Sequence, residues 1–222
     1  MSFLKHERLN GNGIKINNEL VFYPVPKNAC TALKREAYFL LKGRDFKTIH
    51  FLFGRKFTIH DYMQSNKFNL NSNSYNMVNI CNIRNPIERF VSGFQNRVVH
   101  YGDLELNRQS VVNAGLEVNP VNINYFVENL EAYMKASPVV YHHFLPQSYF
   151  LGEDFSFYNP EMSRDVFKVF ESLTGRKVGG YKISSKDEKA LIINKLDDCS
   201  TKKLDNYYQA DFKMYERIYR SF

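Results

Sequence analysis

Twice along the chain an apolar run stops and a helical pattern begins within a few residues. This repeated change of period, from strand to helix, constrains the fold more than any other feature. Leu20 to Val25 is a short apolar run ending among Pro24 and Pro26, as expected of a buried strand. Leu33, Ala37, Leu40 and Leu41 then fall at helical spacing, which predicts a helix with one apolar face from about Ala29 to Lys42. Met77 to Ile83 predicts a second strand. A second helix follows at once: Asn85 suits the N-cap, Pro86 the first helical position, and Glu88 completes a capping-box pattern. Its apolar stripe is Ile87, Phe90, Val91, Phe94 and Val98. Strand followed by helix, occurring twice, implies a parallel α/β sheet.

The 222 residues suit one α/β domain spanning 1–222. Further helices are predicted over Ile123–Ala136, Ser163–Leu173, Lys186–Leu196 and Thr201–Tyr219. Two Asn-rich stretches, Asn66–Asn76 and Gly102–Asn124, read as loops or insertions rather than domain boundaries. With 44% hydrophobic residues the chain is neither disordered nor a coiled coil. Its net charge of +7 suggests an anionic ligand without naming one. Cys30, Cys81 and Cys199 are far apart and odd in number, which excludes a disulfide framework or zinc site and favours reduced thiols. The charged N-terminal segment lacks the apolar core of a signal peptide, and no apolar run is long enough to span a bilayer. A cytoplasmic location is therefore expected.

The two strand-to-helix junctions carry the chemistry. In Pro24-Val25-Pro26-Lys27-Asn28-Ala29-Cys30-Thr31 the start of the helix leaves backbone N–H groups facing one spot, where the helix dipole favours a phosphate. Lys27 adds a mobile charge and Thr31 a hydroxyl. The segment has no glycine and no Gly-Lys-Ser/Thr triplet, which excludes a Walker loop. In the second junction Arg84 stands at a strand end, where open α/β sheets bind ligands. Ser92 returns to the Asn85 face of the helix seven residues on, roughly 10 Å along the axis. Arg84 and Ser92 then suit one phosphate held from two sides. The plainer alternatives are a solvated Lys27 in an ordinary turn, and an Arg84 paired with Glu88.

Taken together, the junctions resemble those of the sulfotransferases that use 3′-phosphoadenosine 5′-phosphosulfate (PAPS). Pro26-Lys27-x-x-x-Thr31 is similar to that superfamily's 5′-phosphosulfate loop, and Ile83-Arg84-Asn85-Pro86-x-Glu88-Arg89-x-x-Ser92-x-Phe94 to its 3′-phosphate motif. The carbohydrate sulfotransferase branch is the nearest likeness, through Pro26-Lys27-Asn28-Ala29-Cys30-Thr31. His143-x-x-Pro146-Gln147 and Tyr208-x-x-Asp211-Phe212 are weaker echoes of the same branch. The resemblance spans about Val21 to Tyr215. It implies a three-layer P-loop-like fold with a central parallel sheet flanked by helices. It also implies PAPS as sulfuryl donor, no metal, and a carbohydrate hydroxyl as acceptor. Lys27 then neutralises the leaving-group oxygens. Thr31 and the N–H groups of Asn28, Ala29, Cys30 and Thr31 hold the 5′-phosphate, and Arg84 and Ser92 hold the 3′-phosphate.

For the base, histidine titrates near neutrality, and His60 precedes Arg84 by a family-like interval of 24 residues. Lys27 and His60 are thus the expected catalytic pair, with His50, His142, His143 and Glu36 as alternatives. Arg89 is expected to pair with a carboxylate near its helix. Arg176 and Lys177, with Gly179 to Ser185, occupy the place of a loop that closes over the nucleotide in relatives. Rival readings are a kinase-like nucleotide enzyme and an inactive relative that only binds the nucleotide. The spread of positive charge argues against nucleic acid. The acceptor, a peripheral membrane contact and the oligomeric state stay open.

Overall fold

The structure, a computed structural model, describes residues 13–18, 20–54, 56–65, 78–151, 165–177 and 195–219. These fall into two compact units. One holds the described residues between 13 and 83 with 149–151, 165–177 and 217–219; the other holds 84–148 and 195–216.

In the first unit, β1 (Ile14–Lys15), β2 (Leu20–Tyr23) and β5 (Val78–Cys81) form a sheet in the order β1-β2-β5. The predicted parallel pair is present: β2 runs beside β5, in register from Leu20 opposite Val78 to Tyr23 opposite Cys81. The antiparallel edge strand β1 is an addition that the sequence pattern did not predict. β2 ends at Tyr23, because Pro24 has no N–H to give to a ladder. Helix α1 (Cys30–Lys42) matches the predicted span and ends at Gly43, whose φ of 66° a glycine adopts without strain.

Helix α1 lays Leu33, Ala37 and Tyr38 against Leu20, Phe22 and Ile80 of the sheet. Helix α2 (Ile59–Ser65) adds Ile59 and Met63 to this core, and helix α9 (Val166–Thr174) adds Val166 and Phe170. Phe170 meets Phe22 edge to face at 5.3 Å. A short hairpin, β3 (Ile49–His50) with β4 (Lys56–Phe57), leads into α2.

The second unit is helical. Helix α3 (Pro86–Gly93) runs directly into a π-helical segment, Phe94–His100. The predicted stripe buries Phe90, Val91, Phe94 and Val98. Gly93 lets α3 close on its neighbour, since a Cβ there would lie 3.2 Å from the Phe144 ring. The Gly102–Asn124 stretch is not the loop expected from its composition. It contains a 3₁₀ turn, Asp103–Asn107, and helix α4 (Arg108–Asn113). Leu104 and Val111 anchor this stretch in the interior, and Asp103 pairs with Arg97 at 2.5 Å.

The helix predicted over Ile123–Ala136 is two helices, α5 (Ile123–Glu128) and α6 (Leu130–Ala136). They meet at Asn129, whose side chain donates to the Tyr125 carbonyl and competes with the helical ladder. Helices α7 (Pro138–Phe144) and α8 (Gln147–Leu151) follow. The final predicted helix also divides, into α10 (Asp198–Tyr207) and α11 (Gln209–Tyr219). Most of the Lys186–Leu196 prediction, the Asn66–Asn76 stretch, and Gly179 to Ser185 lie outside the described residues.

The architecture is mixed α/β, as expected. Among the described residues the parallel part of the sheet is the single pair β2–β5.

Candidate active site

The chain leaves β2 through a tight turn. The Asn28 N–H donates to the Val25 carbonyl at 3.2 Å, with Pro26 and Lys27 at the turn's centre. Pro26 has the fixed φ such a turn needs at its first central position, and the second requires positive φ. Lys27 supplies it at 66°, and Ala29 follows at 58°. Among the described residues no other non-glycine has positive φ. Each such residue costs on the order of 1–3 kcal/mol and persists where surrounding structure enforces it, as at ligand clamps.

The alternation of left-handed Lys27 and Ala29 around Asn28 curves the backbone into the kind of concavity that binds anions. Asn28 anchors this curve. Its side-chain amide donates to the Asn82 carbonyl at 2.7 Å, and the Asn82 amide returns a bond to the Asn28 carbonyl at 3.0 Å. The turn after β2 is thus tied to the residue that follows β5.

The start of α1 is open. Ala29, its N-cap, has no side chain to cap it, and the first turn holds no acidic residue. The Ala29 carbonyl takes the N–H groups of Ala32 and Leu33. Those of Ala29, Cys30 and Thr31 remain at the helix end, where intrahelical acceptors are missing and the dipole is positive. The Asn28 N–H, predicted to join them, closes the turn instead.

His60 comes to this spot from α2. Its Nε2 lies 2.9 Å from Thr31 Oγ1, and its Nδ1 lies 3.3 Å from Lys34 Nζ. Next to it, Asp61 accepts from the Thr58 N–H and hydroxyl, both at 2.7 Å, which caps α2. Those two bonds hold the Asp61 carboxyl below its ordinary range. The structure therefore joins Thr31 with His60. It also brings in Lys34, which no sequence pattern ranks above its neighbour Arg35.

The alternatives to His60 are placed elsewhere. His50 is exposed on β3 and His142 is exposed on α7. The Nδ1 of His143 lies 2.8 Å from the Val139 carbonyl, within α7. Glu36 is not solvated: it is buried and pairs with Arg176 at 3.0 Å. Arg176 also pairs with Asp45 at 2.7 Å and covers the Phe39 ring at 3.8 Å. It joins the end of α9 to α1.

In the second unit, Arg84 and Ser92 stand at the start and on the body of α3. The predicted cap is present. Asn85 Oδ1 accepts from the Ile87 and Glu88 N–H groups at 3.0 and 3.2 Å, with Pro86 at the first position. Glu88 turns toward Arg84, at 3.4 Å. Burial pushes the Arg84 guanidinium down from its ordinary value and Glu88 opposes the change. A guanidinium keeps its charge regardless, and the Glu88 carboxylate stands beside it.

The Arg84 backbone is held by Gln147, which sequence reasoning gave only as a fragment of a weak motif. Asp211, from the other weak motif, accepts the N–H groups of Gln147 and Ser148 at 2.6 and 2.8 Å. The Tyr208 hydroxyl donates to the Phe144 carbonyl at 2.7 Å. Arg89, fully buried, donates to the His143 carbonyl at 3.4 Å, and its charge is felt at Asp211 and Tyr208. The carboxylate near Arg89 is thus Asp211 of α11.

The curved loop ahead of α1, with a histidine bonded to the threonine of the helix's first turn, has the features of an anion site in an α/β protein. The class narrows on comparison with known proteins: the model of the sulfotransferase family matches residues 14–219. The chain belongs to that family, in its family 2 branch, whose enzymes take the sulfuryl group from PAPS. No curated protein and no solved structure matches the chain significantly. Among the described residues no helix is long and apolar enough to cross a membrane.

Proposed function

We propose that the enzyme transfers the sulfuryl group of PAPS to a carbohydrate hydroxyl, with His60 as the base. The observation that carries this reading is the Thr31–His60 bond beside three open backbone N–H groups. It brings an imidazole to the uncapped start of α1 within one unit, which supports a base beside a bound phosphate. The curve at Lys27–Ala29 and the uncapped start of α1 fit a 5′-phosphate. Lys27 neutralises charge on the departing oxygen, and Thr31 turns its hydroxyl to the phosphate, which frees Nε2 for the acceptor hydroxyl.

Arg84 and Ser92 take the 3′-phosphate, Arg84 in a forked contact that Glu88 yields. As in phosphoryl transfer, positioning and fixed charge supply most of the rate. The wider fold we assign is the three-layer, P-loop-like arrangement with a central parallel sheet. We place the enzyme in the cytoplasm. A carbohydrate acceptor rests on the likeness of Pro26-Lys27-Asn28-Ala29-Cys30-Thr31 to the carbohydrate branch.

The test is transfer of labelled sulfate from PAPS into glycans of the source cell, with identification of the product. Lys27→Ala and Arg84→Ala should abolish transfer in folded protein. Selective thermal stabilisation by 3′-phosphoadenosine 5′-phosphate supports the donor assignment. Selective stabilisation by ATP with Mg²⁺ would overturn it in favour of a kinase-like enzyme.

A further inference from the structure

The His60 imidazole is engaged at both nitrogens by residues one helical turn apart on α1: Thr31 at Nε2 and Lys34 at Nδ1. Two proton arrangements satisfy these contacts. With Lys34 as the ammonium, which only donates, Nδ1 must accept, so Nε2 carries the hydrogen and donates to Thr31. With Lys34 as the amine, Nδ1–H donates to Nζ, and the Nε2 lone pair faces the Thr31 hydroxyl. Only the second arrangement leaves a base at Nε2.

We propose that Lys34 is the final proton acceptor of the sulfuryl-transfer step, reached through the His60 ring; this rests on the reading of His60 as base. In the step, the acceptor oxygen bonds to sulfur as the sulfur–oxygen bond to the departing phosphate breaks. The hydroxyl proton goes to Nε2, and the Nδ1 proton passes to the Lys34 amine. The site ends with a neutral, Nε2-protonated imidazole and a Lys34 ammonium, and the ammonium returns its proton to water. Lys34 is thus a relay that acts through His60.

The surroundings suit a lysine that changes charge. Burial lowers its pKa, with Cys30 on the same helix opposing the shift. On α2 the charged neighbour of His60 is Asp61, engaged by Thr58. Helix α9, also packed on α1, directs Arg176 at Glu36 and Asp45.

Nitrogen NMR of His60 in the ligand-free protein, followed with pH, reads the relay without turnover. In the wild type the ring should change from Nε2–H to Nδ1–H as pH rises. Lys34→Arg, which cannot deprotonate, should hold Nε2–H throughout. In transfer assays Lys34→Arg and Lys34→Met should lower kcat by about a hundredfold, with the donor KM changed by less than about threefold.

A wild-type ring that never changes tautomer overturns the relay, even if the variants fail to fold. So does a Lys34→Arg enzyme with wild-type kcat and pH profile. If His60→Ala keeps full activity, or the wild type transfers no sulfate from PAPS, the underlying reading fails instead. The NMR titration then still decides whether Lys34 exchanges a proton with the ring.

Discussion

Gln147 grips the backbone of Arg84 on both sides: its Oε1 accepts the Arg84 N–H at 3.1 Å, and its Nε2 donates to the Arg84 carbonyl at 2.8 Å. Gln147 is fully buried, and Asp211 holds its own N–H. A side chain 63 residues away thus fixes the main chain that presents the proposed 3′-phosphate ligand.

Gln147→Leu keeps the volume but removes both bonds. It leaves an N–H and a carbonyl of Arg84 unpaired, at a cost of about 1–3 kcal/mol. Melting of the variant should show this loss. Affinity for 3′-phosphoadenosine 5′-phosphate should fall by a comparable factor, while kcat at saturating donor changes less. Unaltered nucleotide affinity in a destabilised Gln147→Leu would confine the clamp to stability.

This clamp also marks where the sequence stopped being legible. The turn at Pro26 and the Asn85 cap with Pro86 behind it are legible because residues a few positions apart determine them, whereas Glu88, expected to complete a capping box, turns to Arg84. The strands and α1 follow from apolar spacing. Gln147 and Asp211 act across the fold, and a long-range hydrogen bond has no period in sequence. They surface only as fragments in His143-x-x-Pro146-Gln147 and Tyr208-x-x-Asp211-Phe212. Lys34 cannot be told from Arg35 in sequence for the same reason, since its partner His60 lies on another helix. The polar composition of Gly102–Asn124 hides Leu104 and Val111, seven residues apart and both buried. The division of α5 from α6 is the reverse case: a continuous helical pattern is interrupted at Asn129, whose side chain shares the Tyr125 carbonyl with its own N–H.

Glu88 competes with any anion for Arg84. Their contact of 3.4 Å is long and Glu88 is half exposed, so the pair contributes on the order of 0–1 kcal/mol. Glu88→Gln removes the charge and keeps the helix start. Calorimetry should find 3′-phosphoadenosine 5′-phosphate bound a few times more tightly, by about the same 0–1 kcal/mol. Weaker binding would mean that Glu88 aims the guanidinium.

Ala29 holds a left-handed conformation for the sake of the loop. That conformation costs an alanine about 1–2 kcal/mol, against a glycine's added entropy of about 0.5–1 kcal/mol in the unfolded chain. Ala29→Gly should therefore raise stability by up to about 1 kcal/mol, or roughly 2–4 °C in a chain of this size. Nucleotide affinity should fall, because binding must then order a looser loop. A lower melting temperature would show that packing, and not the cradle, sets this backbone.

Lys34 gives a pH dependence whose sign follows from its burial. Its folded pKa lies below the ordinary 10.5. Well below the folded value, Lys34 is an ammonium in both the folded and unfolded chains, and the native state bears the full cost of burying it. As pH rises through the folded value, the folded chain sheds the proton first. Between the two pKa values the unfolded chain binds more protons, so stability rises with pH until both forms are neutral. Lys34→Met abolishes this titration and leaves the other groups in place. The melting temperature of the wild type, measured relative to Lys34→Met, should therefore climb as pH rises through the lowered folded value toward the ordinary 10.5. A difference that stays flat across that window would mean that Lys34 remains an ammonium in the folded protein, and the imidazole beside it would then keep its hydrogen on Nε2.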